Sequence, residues 1–295
     1  MNKVIAIVGP TGVGKTKLSI ALAKILDGEI INADSTQVYK GLDIATAKVT
    51  DEEKEGVVHH LLDIKEITDD YSVYDYQKDS RSLIEDILKK GKTPILVGGT
   101  GLYIKACLYN YEFNSKVVIN NYDNLTNEEL YNKLILVDPN TEIHMNNRKR
   151  VIRALNYYDT NNKPFSSKEK TDQLLYDTIF IGLTTNRDLL YEIINKRVDK
   201  MVQIGLIDEA FKIYESNIRT KAVMTPIGYK ELFEYFDNSK TLDECIFDIK
   251  QRSRKYAKRQ YTWFNNQMQI DWIEVNFDNF DITIKKALEL IEKKK

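Results

Sequence analysis

Gly9-Pro10-Thr11-Gly12-Val13-Gly14-Lys15-Thr16 has the residue types and spacing of a phosphate-binding loop, G-x-x-x-x-G-K-T. Glycines let backbone N–H groups turn inward around an anion. Lys15 can place a point charge on the phosphates, and the Thr16 hydroxyl can ligate Mg²⁺. The motif specifies a polyphosphate without specifying ATP. A second candidate is Asp34, in Asp34-Ser35-Thr36-Gln37-Val38-Tyr39. Its carboxylate could serve Mg²⁺ through water or act as general base on an acceptor; the blander role is a helix N-cap or turn. Thr100, in Gly98-Gly99-Thr100-Gly101-Leu102-Tyr103, offers a hydroxyl or a helix N-cap. Lys250 to Phe264 holds six basic residues, no acid and interleaved aromatics. At helical spacing Arg252, Lys255 and Arg259 share a face suited to a phosphate backbone or a diphosphate, and the bland alternative is a solvated surface.

These groups need elements to hold them. Val4 to Val8 is a continuous apolar run, as in a strand buried on both faces, and Leu18 to Ile25 has helical period. Strand, glycine loop and helix is the context a P-loop requires. Further buried strands are expected at 29–33, 94–97 and 178–183, and an amphipathic helix at 74–90. Asp34 and Thr100 then lie at carboxyl ends of strands, where an open α/β sheet forms its ligand crevice. Gly98 stands where P-loop NTPases often carry an aspartate, which weakens an ATPase or GTPase reading. Gly41 to Lys48 reads as loop and short helix. His59 and His60 are a poor metal pair, and His60 reads as hydrogen-bonded structure or substrate lining. Residues 146–155 read as a helix with four basic residues, and 187–214 as a helical region broken near Gly205.

The expected architecture is α/β: a P-loop kinase-like parallel sheet core, formed by 1–111 and 176–295, with a mostly helical insertion at 112–175. The chain has 295 residues, 42% hydrophobic and 29% charged, which is ordinary for a soluble globular protein. A net charge of −1 confines any nucleic-acid binding to local patches. Cys107 and Cys245 read as buried free thiols. No signal peptide or membrane span is evident, so the expected compartment is the cytoplasm.

Six motifs in order resemble the tRNA dimethylallyltransferase family: 9–16, D-S-T-Q-V-Y-K-G-L-D-I-A-T-A-K at 34–48, H-H-L-L-D-I at 59–64, G-G-T-G-L-Y at 98–103, I-G-Y-K-E at 227–231 and K-R-Q-Y-T-W at 258–263. The resemblance implies a monomeric, Mg²⁺-dependent enzyme needing no nucleoside triphosphate. It implies transfer from dimethylallyl diphosphate to the exocyclic amine of the adenosine just 3′ of the anticodon, in tRNAs reading codons that begin with U. By analogy the loop from Gly9 to Thr16 holds the diphosphate, with Lys15 catalytic and Thr16 on the metal. Asp34 is implied as the base, with Ser35, Thr36 and Gln37 lining the adenine pocket. Thr100 matches a position near tRNA and diphosphate. Lys149, Arg150, Val151, Ile152 and Arg153 match a tRNA-contact motif, and Lys258 and Arg259 add charge for the anticodon stem-loop. Members usually have a longer, proline-rich stretch after G-G-T-G-L-Y, with an arginine that touches tRNA; here Tyr109 to Asp123 is short and Asn-rich.

Two rival readings remain at this point. One is a small-molecule P-loop kinase, or an isopentenyltransferase acting on free adenine nucleotide, which would need neither basic stretch. The other is a non-catalytic RNA-binding protein with a degenerate P-loop, against which intact Lys15, Thr16 and Asp34 argue. No guanine-reading N-K-x-D supports a GTPase.

Overall fold

The structure, a computed structural model, describes residues 3–111, 113, 120–167 and 173–294. It divides into two compact units, Met1–Tyr109 with Leu174–Lys295, and Asn110–Gln173. In the first unit β1 (Lys3–Val8), α1 (Lys15–Ile25), β2 (Gly28–Asn32), α2 (Asp51–Lys54), β3 (His59–His60), α3 (Val73–Lys89), β4 (Thr93–Gly98) and α4 (Gly101–Leu108) follow in turn. The second unit contributes α5 (Asn127–Val137) and α6 (Arg148–Asn161). The chain returns as β5 (Asp177–Thr184), α7 (Arg187–Gln203), α8 (Leu206–Glu215), α9 (Lys221–Met224), α10 (Tyr229–Phe236), α11 (Leu242–Gln267), β6 (Asp271–Glu274) and α12 (Phe280–Lys293).

Six strands form one parallel sheet in the order β3-β2-β4-β1-β5-β6. β1 is central, with Ile5 opposite Ile95 on one side and Ile179 on the other. Its apolar run is buried on both faces. Val4, Ala6 and Val8 join the core formed with Tyr76, Ile84 and Ile104, while Ile5 and Ile7 join Leu18, Leu22 and Ile291. From β1 the chain crosses by α1 to β2, leaving the slot for β4 between them. The strand order thus reverses at β1, and a crevice opens at its carboxyl end.

β4 ends hard against β2. A Cβ on Gly98 would lie 2.2 Å from the carbonyl oxygen of Ala33, so no side chain fits there. The carboxylate that many P-loop NTPases place at this strand end is therefore sterically barred, and Asp34 stands one strand over. Gly14 caps α1 in the left-handed region, φ +87°, where a Cβ would also meet the Phe280 ring at 2.8 Å.

The unit Asn110–Gln173 has its own core of Leu130, Leu134, Ile143, Val151, Ala154 and Leu155. Thr126 opens α5 with a capping box to Glu129. Arg148 is structural: its guanidinium donates to the carbonyls of Leu125 at 2.6 Å and Tyr122 at 2.7 Å.

One expectation is corrected. Gly41 to Lys48 is a series of turns with no short helix, for a reason given below. His60 bonds the buried Glu29 carboxylate at 2.8 Å, so it is hydrogen-bonded structure. Cys107 and Cys245 are free and buried, and burial pushes the Cys107 thiol up to about 12. Among the described residues no helix is long and apolar enough to cross a membrane. Part of the Asn-rich stretch, 112 and 114–119, lies outside the described residues.

Candidate active site

The loop after β1, the loop after β2 and one face each of α7 and α11 enclose a cavity of about 610 Å³. That volume suits a small-molecule site. At its floor Lys15, in the first turn of α1, donates to the Pro10 carbonyl at 2.8 Å. Burial, with the neighbouring Arg197 guanidinium, lowers its ammonium to about 7 against the partial opposition of Asp34. Arg197 itself is lowered chiefly by burial, and it donates to the Thr11 hydroxyl at 2.9 Å. Gln260 ties both glycine loops together. Its Oε1 accepts from the Thr11 amide at 3.0 Å and its Nε2 donates to the Gly99 carbonyl at 3.1 Å. Lys15 and Arg197, with Asp34 near enough to oppose the lowering of both, make this floor the cationic end of the cavity.

Beyond the floor lies Asp34. Its Oδ1 accepts from the Thr36 amide at 3.0 Å and the Thr36 hydroxyl at 2.7 Å. Its Oδ2 accepts no hydrogen bond among the described residues. Asn32 fixes the loop by bonding both the amide and the carbonyl of Asp34 at 3.0 Å. Among the described residues lining the cavity, Asp34 is the one acid, against Lys15, Arg197, Lys230, Arg252, Lys255 and Arg259. Farther along α7 and α11, Val198, Met201 and Ile249 make the wall apolar.

Most residues expected at the site from sequence line this cavity: Thr11, Gly12, Gly14, Lys15, Thr16, Asp34, Ser35, Thr36, Gln37 and Arg259. Val13 is fully buried and is not among the residues lining the cavity. Thr100 stands beside the cavity. It occupies the N-cap position of α4 without a capping bond, and its hydroxyl accepts from the Ser35 amide at 3.1 Å and donates to the Ser35 hydroxyl at 3.3 Å. Thr100 is thus joined to the cavity lining by its hydrogen bonds to Ser35. Arg252, Lys255 and Arg259 do share one face, and it faces the cavity. Lys258 instead lines a shallower groove of about 340 Å³ with Arg259, Thr262 and Trp263. In the other unit, Val151 is buried and Ile152 packs on the same core. Only Lys149, Arg150 and Arg153 of that motif are exposed.

Sequence reasoning missed Arg197, Tyr256 and Gln260 as site residues. Tyr256 lines the cavity, and its hydroxyl titrates above the usual range because of burial and then the Asp34 charge. The signal was present. Arg197 falls three residues after Ile194 and four before Met201, so it lies on the inward stripe of an amphipathic helix, where a cation needs a partner.

The model of the IPP transferase family matches residues 37–267. This chain belongs to the tRNA dimethylallyltransferase, or IPP transferase, family. It is 50% identical over 302 residues to a tRNA dimethylallyltransferase of Anoxybacillus flavithermus, covering 99% of this chain and 97% of that one. It is 48% identical over 302 residues to a tRNA dimethylallyltransferase of Bacillus subtilis, covering 98% and 94%. Among solved structures, a tRNA isopentenylpyrophosphate transferase from Staphylococcus epidermidis superposes with TM-score 0.77 at 40% identity, covering all of both chains. A eukaryotic dimethylallyltransferase acting on tRNA superposes with TM-score 0.86 at 31% identity, covering 98% of this chain and 78% of that one. In this transferase fold the P-loop and Asp34 share one chamber.

Proposed function

We propose that this protein transfers a dimethylallyl group from dimethylallyl diphosphate to N6 of the adenosine 3′-adjacent to the anticodon, in tRNAs reading codons that begin with U. The observation that carries the reading is a single carboxylate, Asp34, facing a cation-rich chamber whose floor is a phosphate loop. A kinase for a small hydroxyl compound would share the floor. The exposed Lys149, Arg150 and Arg153, and the Lys258 groove, favour an acceptor with a phosphate backbone.

The chemistry follows from the arrangement. Lys15, Arg197 and the loop amides hold the diphosphate and stabilise the charge it gains as the carbon–oxygen bond breaks. The amine nitrogen forms the new bond to that carbon, and the electron pair leaves with diphosphate. A neutral aromatic amine is barely acidic until it is alkylated, so its proton passes late to Asp34, whose Oδ2 is free to take it. The target base must leave its stack to reach this depth, which the unpaired anticodon loop makes affordable.

Mg²⁺ fits the donor set. The Thr16 side chain lines the cavity and makes no hydrogen bond among the described residues, and Asp34 Oδ2 can hold a metal-bound water. Bound with the diphosphate, the ion would neutralise leaving-group charge. Among the described residues no cluster of three His, Cys, Asp or Glu competes as a metal site.

The test is transfer of label from dimethylallyl diphosphate with Mg²⁺, offering unmodified tRNA and AMP together. Label in tRNA, at the adenosine following the anticodon, supports the reading. Label in AMP alone, or ATP turnover without prenyl transfer, overturns it.

A further inference from the structure

Ala45, Thr46 and Ala47 line the cavity from a segment, Leu42–Ala47, that has neither helix nor strand. Its shape is imposed from α8. Glu209 Oε2 accepts from the Asp43 amide at 3.0 Å and the Ile44 amide at 2.8 Å, while Oε1 accepts from the Ala45 amide at 3.1 Å and the Tyr229 hydroxyl at 2.7 Å. Three successive amides converge on one carboxylate, an anion nest filled by the chain's own side chain. These are charge-assisted bonds, stronger than the turn could make by itself. On the other side the Lys48 ammonium, almost fully buried, joins Asp43 at 2.6 Å, Asp63 at 2.5 Å and the Tyr39 carbonyl at 2.7 Å.

The turn then orients a residue that faces the cavity. Gln37 Nε2 donates to the carbonyls of Thr46 at 3.0 Å and Ala47 at 3.3 Å. Reversing the amide would set its oxygen against two carbonyls, so this polarity is fixed. Gln37 lines the chamber, and its Oε1 has no hydrogen-bond partner among the described residues, which leaves it available as an acceptor.

We propose that Glu209 is a positioning residue for the acceptor base: by ordering Asp43–Ala47 it locks Gln37 so that an acceptor, not a donor, meets an exocyclic amino group. The proposal rests on the functional reading above. Among the described residues Glu209 makes no hydrogen bond or ion pair to the loop from Gly9 to Thr16, so the two substrates should respond differently.

The experiment compares wild type, Glu209→Ala, Gln37→Ala and the double variant in steady-state transfer, with amide hydrogen exchange on the same proteins. Glu209→Ala should raise KM for tRNA about tenfold and leave KM for dimethylallyl diphosphate within twofold. Exchange at Asp43–Ala45 should accelerate. The double variant should be no worse than Gln37→Ala, because both changes remove one interaction. Should Glu209→Ala fail to fold, Glu209→Gln keeps the volume while losing the charge, and must show the same split. Equal shifts in both KM values, additive effects, or unchanged exchange would overturn the proposal. Wild type without prenyl transfer to tRNA would sink the functional reading and the acceptor role together, while exchange would still decide whether Glu209 orders the turn.

Discussion

The Arg197 guanidinium, on α7, donates to the Thr11 hydroxyl, in the phosphate loop, at 2.9 Å across 186 positions of sequence. That bond ties Arg197 to the proposed diphosphate loop, beside Lys15, whose ammonium it destabilises. Arg197→Ala should therefore do two things. Affinity for dimethylallyl diphosphate at pH 6 should fall by about tenfold or more, for loss of a charge-assisted contact. The Lys15 pKa should rise. Calorimetric titration with the donor alone checks the first, and its pH dependence checks the second.

Lys15 near 7 gives donor binding a proton linkage. A bound diphosphate raises the lysine, so binding takes up a proton at any pH between the free and bound values. Affinity should be flat below pH 7 and should weaken above it, by up to tenfold per unit. Lys15→Arg, charged throughout, is the control that subtracts the donor's own titration. A wild-type slope matching that of Lys15→Arg from pH 7 to 9 would refute the linkage.

The same shift has a cost in stability. A lysine at about 7 when folded and near 10.4 when unfolded binds more protons in the unfolded state between those values. The desolvated ammonium thus weakens the fold below pH 7 and ceases to do so as pH rises through that window. Lys15→Met should be inactive and, at pH 6, more stable than wild type by on the order of a few kcal/mol. Denaturant melts at pH 6 and pH 9 read the difference, which should shrink at the higher pH.

Asp34→Asn keeps size and polarity but cannot take a proton. Turnover should fall by roughly 10²- to 10⁴-fold, the usual span for a general base. Filter binding should show tRNA affinity within a few fold. A variant with full turnover would remove Asp34 from the chemistry.

Gly98→Ala drives a methyl into the Ala33 carbonyl at 2.2 Å, and neither is on a movable side chain. The strand ends must part, at about 1–3 kcal/mol or more. Thermal melting should report the loss, and the displaced Asp34 loop should lower activity even at temperatures where the protein stays folded.

The parts of the molecule legible in sequence were those whose signal is local. The P-loop, the apolar run of β1 and the period of α3 each state their own conformation. What sequence did not reveal depends on long-range partners. Arg197 and Glu209 both look like ordinary charges on amphipathic helices, yet each sits on the inward stripe, Glu209 between Leu206 and Ile213. Gln260 lies likewise between Ala257 and Phe264 on α11. A polar residue at an inward position was the available clue. Gly41 to Lys48 looked helical in part because nothing local announces that a carboxylate 160-odd residues away will claim its amides. Val151 and Ile152 came with a motif, and only their place in the Asn110–Gln173 core shows that the exposed basic neighbours are what a partner could touch.

Tyr109 and Leu174 pair as an antiparallel bridge, and the Leu175 amide donates to the Leu108 carbonyl at 2.9 Å. The chain leaves the sheet-bearing unit and re-enters it at one hydrogen-bonded point. In terms of chain topology, residues 110–173 are a splice: the path from α4 to β5 closes across them whatever their length, since closure entropy grows only with the logarithm of the loop. Insertions and deletions in this segment are therefore expected to leave the register of the sheet's strands unchanged.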